Sequence, residues 1–350
     1  MAVPLGQGSL REEWDALADR VGAPLFARPG WYEAWWPAFG RGTPQVETTY
    51  RDGGLVGVAA LERRGPAVES MTNWHTVEYD LLAEDDAAAG ELARAIFARR
   101  PRRASFAFMT AGESAIDLLR STAEENGYRT IRRTLEQSPY VPIDGEWDTY
   151  RAGRERRLLS EIGRRRRRLE AEAPVRFELL DGRERLAELL DEGLPLEASG
   201  WKAEQGTAIL SDPSTLAFYT SLARYAAGRG ALRLAFLRLG ERPIAFQFLI
   251  EDSDTLYFLK GGFETEYRKL GPGAMLIEEV LAYAFARRLR SYEFLGFPEP
   301  FKLDWTDRLR ERDLLQAFAP SAAGVVDWTA WAVGRPLAKR AMSALKRAKQ

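Results

Sequence analysis

The sequence predicts a mixed α/β fold, an α+β arrangement in which helices pack on a mixed sheet. The main sign lies between residues 197 and 320, where three strands joined by short turns precede a glycine-bearing turn, a long amphipathic helix and another strand. The half before this stretch also mixes strand-like and helical runs. With 350 residues, of which 45% are apolar, the chain is long enough for two domains with ordinary cores.

The N-terminal half begins with two predicted helices, over residues 10–21 and within residues 26–40, where Pro29 suits the first helical turn. In the second helix an aromatic residue recurs every four positions, at Trp31, Trp35 and Phe39. This spacing predicts a buried stripe. The elements predicted next are a hairpin of residues 45–51 and 55–62, helices at 86–99 and 114–126, and a strand at 104–109.

A break near residues 139–150 predicts an N-terminal domain of residues 1–145, a second domain of residues 146–320 and a tail of residues 321–350. An arginine-rich helix is predicted over residues 151–168. One face of this helix is narrow and mostly apolar, and it consists of Leu158, Ile162, Arg165 and Leu169. Two interpretations stay open, a solvated helix bridging two domains and a surface for a phosphate-bearing or anionic partner.

In the second domain the pattern predicts a helix at residues 213–227 and an antiparallel meander of strands at 231–239, 243–251 and 255–262. A turn at residues 268–273 then opens into a helix over residues 274–289, and a strand follows at 291–295. A glycine-bearing turn at a helix N-terminus is a cradle for anions, because the first turn has unpaired N–H groups and the positive end of the helix dipole. Gly271 and Gly273 keep Cβ atoms away, and Arg268 adds a charged donor.

Composition excludes several classes of chemistry. The chain has no cysteine and one histidine, His75, which excludes disulfides, thiol nucleophiles, zinc fingers and sites built from several histidines. Lys+Arg is 50 against Asp+Glu 51, and the formal net charge of -1 argues against a dedicated nucleic-acid binder. We expect a cytoplasmic protein, since the sequence has neither a signal peptide nor a membrane-spanning run. The amphipathic tail is a docking helix or a peripheral contact with a membrane surface.

The turn after the meander resembles the pyrophosphate-binding motif Arg-x-x-Gly-x-Gly of GNAT acyltransferases. The surrounding sequence is similar to that of the CelD/BcsL-type, BioF2-like acetyltransferases, a branch linked with exopolysaccharide and cellulose loci. The segments that carry this resemblance are Ser199-Gly200-Trp201-Lys202, Pro243-Ile244-Ala245, Leu256-Tyr257-Phe258-Leu259-Lys260, Gly271-Pro272-Gly273, Phe294-Leu295-Gly296 and Phe301-Lys302-Leu303-Asp304-Trp305. The resemblance is strongest over about residues 155–320 and looser before them. It implies a FemAB-type tandem of two GNAT-like units.

By this resemblance the protein is an acyltransferase that uses acetyl-CoA or another acyl-CoA and needs no metal. The N–H groups around residues 271–274 would hold the CoA pyrophosphate, and pantetheine would lie where strands 255–262 and 291–295 splay apart. A backbone N–H near residues 259–261 would polarise the thioester carbonyl. The residues expected at the CoA are Leu259, Lys260, Gly261, Arg268, Lys269, Gly271, Gly273 and Ala274.

GNAT chemistry is direct attack of an amine on the thioester, which requires a proton acceptor and a route for protonating the thiolate. The candidates are Glu264, Glu293, Lys302 and Asp304. The alternative for Glu264, and for Glu266 beside it, is a solvated loop carboxylate without a catalytic role. The alternative for Lys302 is a charge on the protein surface. Glu293 alternates with Tyr292 along its strand, so it faces either the cleft or solvent.

Acceptor contacts are predicted from Trp201, Lys202, His75 and Trp305. The alternatives are a structural role for His75 and a packing role for Trp305. The first half lacks the CoA motif, so it would be structural or shape the acceptor site. We expect an N-acyltransferase acting on an amine such as an amino sugar or polysaccharide precursor. The alternatives are a FemAB-like transferase using aminoacyl-tRNA and a non-catalytic subunit of exopolysaccharide or cellulose assembly.

Overall fold

The computed structural model describes residues 8–112, 114–199, 206 and 208–334. Helices and strands mix along these residues, so the predicted α/β class is confirmed. The chain forms two compact units, each assembled from separate stretches. Among the described residues, unit A comprises Gly30–Phe39 and Gln137–Arg310, and unit B comprises residues 8–29, 40–136 and 311–334.

The helices of the described residues are α1 (Ser9–Arg20), α2 (Pro29–Phe39), α3 (Asp86–Ala98), α4 (Ser114–Glu125), α5 (Trp147–Ala152), α6 (Arg156–Glu170), α7 (Leu186–Glu197), α8 (Pro213–Gly228), α9 (Pro272–Ala286), α10 (Pro300–Leu303) and α11 (Ala322–Thr329). The strands are β1 (Thr43–Arg51), β2 (Gly54–Arg64), β3 (Ala67–Ser70), β4 (Leu82–Ala83), β5 (Arg103–Thr110), β6 (Arg129–Pro142), β7 (Val175–Leu180), β8 (Leu232–Leu239), β9 (Arg242–Asp252), β10 (Thr255–Phe263), β11 (Ser291–Glu293) and β12 (Leu309–Phe318).

Unit B is built on a sheet with the strand order β1-β2-β3-β5-β12, and β4 lies beside β2. Strands β3 and β5 are parallel, whereas the other neighbours are antiparallel. Its core combines apolar side chains of α3 and α4 with those of the strands, among them Leu92, Ile96, Phe106, Ile116 and Leu315. The first helix adds Trp14 and Leu17, which are buried as the apolar face of α1 predicts.

Unit A is built on a sheet with the order β6-β11-β10-β9-β8-β7. Among its described strands, only β10 and β11 pair in parallel, because the chain returns to the sheet through α9. Helix α9 is apolar on several sides, and it packs on the sheet through Met275, Leu276, Val280 and Leu281 against Leu256 and Tyr292. The predicted meander is therefore present, with β8, β9 and β10 within two residues of their predicted bounds.

The aromatic stripe of α2 packs in unit A, where Trp31 and Trp35 are buried, as the spacing predicts, and Phe39 is partly buried. Trp31 and Trp35 are each 1% exposed. The ring of Trp31 meets Phe218 of α8 edge-on, with centroids 5.4 Å apart, and Phe39 lies 5.2 Å from the same ring. These aromatic contacts add packing energy to the burial of the large rings.

The arginine-rich segment is not one helix, which corrects the prediction of a continuous helix over residues 151–168. Helix α5 ends at Ala152 and α6 begins at Arg156. Gly153 follows α5, and glycine inside a helix costs about 1 kcal/mol relative to alanine. Arg154 lies outside both helices, and its Nη1 donates to the main-chain oxygen of Trp305 at 2.7 Å. That contact holds the chain in the break.

The two compact units contain different stretches of the chain from those that a single division near residue 145 would give. Strand β6 begins in unit B and continues into unit A from Gln137, and α2 belongs to unit A although it comes early in the sequence. The tail begins with α11 in unit B, where Arg102 pairs with Asp327 at 3.0 Å and Arg129 lies 5.0 Å from the Trp328 ring. None of the described helices is both long and apolar enough to cross a membrane.

Candidate functional site

The turn between β10 and α9 has the backbone geometry of an anion cradle. A 3-10 turn, Thr265–Leu270, leads to Gly271, whose φ of 60° and ψ of 47° are left-handed, and α9 begins at Pro272. The left-handed conformation explains the glycine, because other residues adopt it at a cost of roughly 1–2 kcal/mol. Gly271 and Gly273 are both half-buried, so the turn is open to solvent on one side.

Some of the main-chain N–H groups of this turn already donate to carbonyl groups within it. The N–H of Gly271 donates to the Arg268 carbonyl at 3.2 Å, and that of Ala274 donates back to the Gly271 carbonyl at 3.1 Å. Pro272 has no N–H, and Gly273 holds the second helical position, where no earlier carbonyl of the helix can accept. Gly273 is thus the main-chain donor best suited to a ligand. Arg268 and Lys269 are exposed beside it.

Strands β10 and β11 lie side by side over only three residues. Thr255, Leu256 and Tyr257 pair with Ser291, Tyr292 and Glu293. Beyond this point β10 continues to Phe263, whereas the chain after β11 turns away through Leu295 and Gly296, with left-handed φ of 56° and 66°. The last six residues of β10 thus have no partner in β11, which agrees with the divergence that the resemblance implies.

Strand β10 also has a bulge where it borders this gap. Its register against β9 shifts between Phe258 and Lys260, so Leu259 has no partner of its own on β9. Gly261 leaves room for its neighbours, since a Cβ there would lie 2.7 Å from the Phe258 ring and 2.8 Å from the Phe246 oxygen. A bulge leaves its extra residue unpaired on the partner strand, and on β10 that residue is Leu259.

The predicted carboxylates after β10 form a surface ion-pair cluster. Arg242, at the start of β9, lies 3.4 Å from Glu264 and 3.0 Å from Glu266. Glu266 and Arg242 are largely exposed. Both carboxylates are thus paired with the same guanidinium.

Glu293 is buried at the last residue that β11 shares with β10. Its Oε1 accepts from Nη2 of Arg310 at 3.0 Å and from Oγ of Ser291 at 3.2 Å. The Arg310 guanidinium also stacks 4.5 Å from the Tyr140 ring on β6. Glu293 therefore anchors Arg310 and the strand end, and its oxygens are already occupied by donors.

Lys302 is buried and holds the loop after β11. Its Nζ donates to the carbonyls of Leu295 at 2.7 Å and Phe297 at 3.1 Å, and it lies 3.0 Å from the Glu299 carboxylate. The three protons of the ammonium thus all have acceptors. The structure brings Lys302 to the chain that leaves β11, but with its charge directed into this loop rather than out to a substrate.

Asp304 and its neighbour Trp305 have opposite environments. Asp304 is exposed at the end of α10, and desolvation, with a smaller contribution from the charge of Glu155, raises the pKa of its carboxyl. The Trp305 side chain is 1% exposed in the core of unit A, so its ring offers no face to a ligand, and the predicted acceptor contact is corrected to a packing role. Tyr150 Oη donates to the Trp305 carbonyl.

The sequence also predicts acceptor contacts from His75, Trp201 and Lys202. His75 lies half-buried in a loop of unit B, where its N–H donates to Oδ1 of Asn73 at 2.9 Å. Trp201 and Lys202 lie outside the described residues. On β10 itself, Nζ of Lys260 lies 5.8 Å from the Tyr219 ring of α8.

One arginine that the sequence does not assign to the site lies at the cradle. A Cβ added to Gly271 would lie 2.9 Å from Nη1 of Arg165. Helix α6 is docked by Ile162 and Leu169, which are buried in the unit A core. The signal in the sequence is the position of Arg165 on the thin apolar face of α6, since a residue at that spacing faces the body of the protein.

Among the residues that the structure describes, no group of three or more acidic or histidine side chains is arranged to hold a metal ion. The donors at the cradle are instead main-chain N–H groups and cationic side chains, a set that suits phosphate.

Comparison with protein families identifies the stretch that contains these features. Residues 156–303 match the family model described as an acetyltransferase (GNAT) domain. This stretch runs from the first residue of α6 to the last residue of α10, so it includes the cradle, β10 and β11. Among curated proteins no significant sequence match is found.

Solved structures share the fold at low sequence identity. The crystal structure of FemX is 13% identical with a TM-score of 0.59, over 87% of this chain and 95% of that chain. The C-terminal DUF2156 domain of a protein assigned as a lysylphosphatidylglycerol synthetase from Agrobacterium fabrum is 15% identical with a TM-score of 0.55, over 92% and 95%. A conserved protein of unknown function from Bacteroides thetaiotaomicron is 11% identical with a TM-score of 0.57, over 88% and 97%.

Proposed function

We propose that this protein, an acyltransferase with a GNAT acetyltransferase domain over residues 156–303, transfers an acetyl or other acyl group from CoA to an amine. The observation that carries the proposal is the divergence of β10 from β11 beside the left-handed turn of Gly271. A gap between two strands can accept an extended thioester arm, and a helix N-terminus at the end of that gap can accept its phosphates.

The acyl donor would bind with its pyrophosphate at residues 271–274 and its pantetheine along β10. The open main-chain donor at Gly273 and the exposed charges of Arg268 and Lys269 support the phosphate position. The bulge at Leu259 supports the position of the thioester, because this residue has no partner on β9 and its N–H would serve the carbonyl oxygen. Such a donor stabilises the charge that develops on this oxygen during attack.

In the reaction, the amine nitrogen attacks the thioester carbon, the carbon–sulfur bond breaks and the sulfur leaves as the CoA thiolate. One proton passes from the nitrogen to an acceptor, and the thiolate is protonated in turn. Asp304 is the proposed proton acceptor, because it follows the chain that leaves β11, at the end of α10, and desolvation raises the pKa of its carboxyl. Glu293 and Glu264 are less suited, since each is already paired with an arginine.

Calorimetry with acetyl-CoA tests the donor site. We expect the wild type to bind and Gly271→Glu to abolish binding, because the new side chain and charge would occupy the phosphate position. Gly240→Glu is the matched control, since Gly240 has a φ of 59° in a turn of the same unit, remote in sequence from the cradle. Binding by Gly271→Glu would mean that the cradle is misassigned, and no binding by the wild type would refute the proposed donor.

The acceptor is proposed to be an amino sugar or another amine of a polysaccharide precursor. The resemblance to CelD/BcsL-type, BioF2-like proteins supports a place in exopolysaccharide or cellulose synthesis. The proposed acceptor contacts are His75, Trp201 and Lys202. Because acyl-CoA is the donor, the cytoplasm is the proposed location. Transfer assays over a panel of amino sugars test this assignment.

A FemAB-like transferase using aminoacyl-tRNA is the second candidate, and the exposed arginines of α6 favour it. A tRNA gel shift with steep salt dependence, together with no affinity for acetyl-CoA, would favour that alternative. Acetyl-CoA binding without transfer to any amine would instead favour the third candidate, a non-catalytic subunit of polysaccharide assembly.

A further inference from the structure

We propose that Arg165 of α6 is a phosphate-binding residue of the acyl-donor site, facing the turn at Gly271. This inference rests on the proposed function, and it adds a binding residue from a helix that lies about 100 residues before the glycine motif in the sequence. It also gives a purpose to part of the arginine-rich segment.

The position of the guanidinium is the first argument. A Cβ on Gly271 would lie 2.9 Å from Nη1 and 3.8 Å from Cδ of Arg165, so the end of this side chain rests against the turn. The Arg165 side chain is 36% exposed, which leaves it accessible to a ligand. A glycine at position 271 therefore allows both the left-handed backbone and the close approach of the Arg165 guanidinium.

The second argument is that α6 is held firmly against the motif helix. Ile162 and Leu169, spaced by two turns, are 3% and 0% exposed in the same core as α9. Nη2 of Arg166 donates to Glu279 of α9 at 2.6 Å. Since α6 and α9 are joined by both apolar and charged contacts, Arg165 keeps its position relative to the N-terminus of α9.

The third argument is the orientation of the Arg165 side chain by Glu161, one turn earlier on α6. Nε of Arg165 lies 3.0 Å from Oε2 of Glu161, which also accepts from Arg164 at 2.8 Å. Arg164 and then Arg165 lower the pKa of Glu161, so this carboxylate stays charged. With Nε engaged by Glu161, the terminal nitrogens of Arg165 are on the side of Gly271.

A guanidinium in this place suits a phosphate group. Its planar donors bind two phosphate oxygens at once. Arg268 and Lys269 add charge from the 3-10 turn. The same chemistry would serve the phosphates of CoA or the backbone phosphates at a tRNA end, and the experiment separates these two sources.

The test compares Arg165→Gln with Arg167→Gln by calorimetry with acetyl-CoA. Arg167 is an exposed residue of the same helix whose Nη1 lies 3.6 Å from the Cβ position of Gly163, so its guanidinium points back along α6. Both variants remove one positive charge. We expect Arg165→Gln to weaken binding by roughly 10- to 100-fold, as for loss of a charge-assisted hydrogen bond, and Arg167→Gln by less than about threefold.

A donor without phosphates provides the second measurement. KM for S-acetylpantetheine should be the same in the wild type and Arg165→Gln, and Arg165→Lys should recover part of the acetyl-CoA affinity. Equal acetyl-CoA affinities of the Arg165→Gln and Arg167→Gln variants would overturn the role of Arg165 while leaving the proposed function intact. Failure of the wild type to bind acetyl-CoA would overturn both. A loss confined to tRNA gel shifts would assign the phosphates to tRNA and overturn the CoA contact.

Discussion

Replacement of Lys302 by methionine distinguishes a structural ammonium from a catalytic one. The side chain is 7% exposed, and its Nζ donates to the carbonyls of Leu295 and Phe297 and pairs with Glu299. Leu295 has a left-handed φ of 56°, so the loop after β11 needs support in this conformation. Methionine keeps most of the length and apolar character of the stem but removes the donors.

The expected loss of stability follows from these contacts. A hydrogen bond to a charged group contributes about 1.5–3 kcal/mol, so two such bonds set an upper limit of about 3–6 kcal/mol. The ion pair adds about 0–1 kcal/mol, since Glu299 is 42% exposed. Water can reach the carbonyl of the exposed Phe297 after the change, which reduces the cost. We expect the free energy of unfolding of Lys302→Met to fall by about 2–4 kcal/mol.

Urea unfolding of Lys302→Met, with Glu299→Gln as control, measures this effect. Glu299→Gln removes only the ion pair and should change the free energy of unfolding by less than about 1 kcal/mol. Steady-state kinetics on the folded fraction of Lys302→Met should show kcat within about tenfold of the wild type. A protein with wild-type stability and kcat reduced more than about 100-fold would refute the structural role and support direct participation in the chemistry.

Three further changes test other parts of the site. Gly271→Ala and Gly240→Ala should each lower the free energy of unfolding by about 1–2 kcal/mol, since both positions are left-handed, but only Gly271→Ala should weaken acetyl-CoA binding in calorimetry; equal affinities would count against the cradle. Asp304→Asn should increase stability to urea at pH 7, because desolvation raises the pKa of the wild-type carboxyl, and the gain should vanish well below about pH 4, where the carboxyl is protonated in both the folded and the unfolded wild type. Its kcat should fall about 100-fold or more if Asp304 accepts the proton, whereas unchanged kcat would exclude that role. Trp305→Ala should cost about 3–5 kcal/mol in thermal or urea unfolding, and a change in acceptor KM without this loss would contradict the packing role.

Local features of the site could be predicted from the sequence because they depend on neighbours along the chain. The turns at Gly240 and at residues 252–254, with strand-like runs between them, indicate the meander, and its strands match the structure closely. The glycine turn before a long apolar helix likewise indicates the cradle. Even the divergence of β10 and β11 is an expectation of the family resemblance.

Features that depend on contacts between distant parts of the chain could not be predicted. Lys302 stands in a motif that suggests a substrate contact, and only the left-handed turn at Leu295 brings two carbonyls to its ammonium. Arg165 looks like one of many arginines until α6 is docked against the 3-10 turn. The membership of α2 in unit A depends on ring contacts with Phe218, about 180 residues later in the sequence.

A crystal structure of the protein with acetyl-CoA tests the central claim most directly. The account predicts the pyrophosphate within hydrogen-bonding distance of the N–H of Gly273 and the guanidinium of Arg165, with pantetheine between β10 and β11 and the thioester oxygen near the bulge at Leu259. Electron density for CoA away from the N-terminus of α9, or no bound CoA in crystals soaked at millimolar concentration, would contradict it.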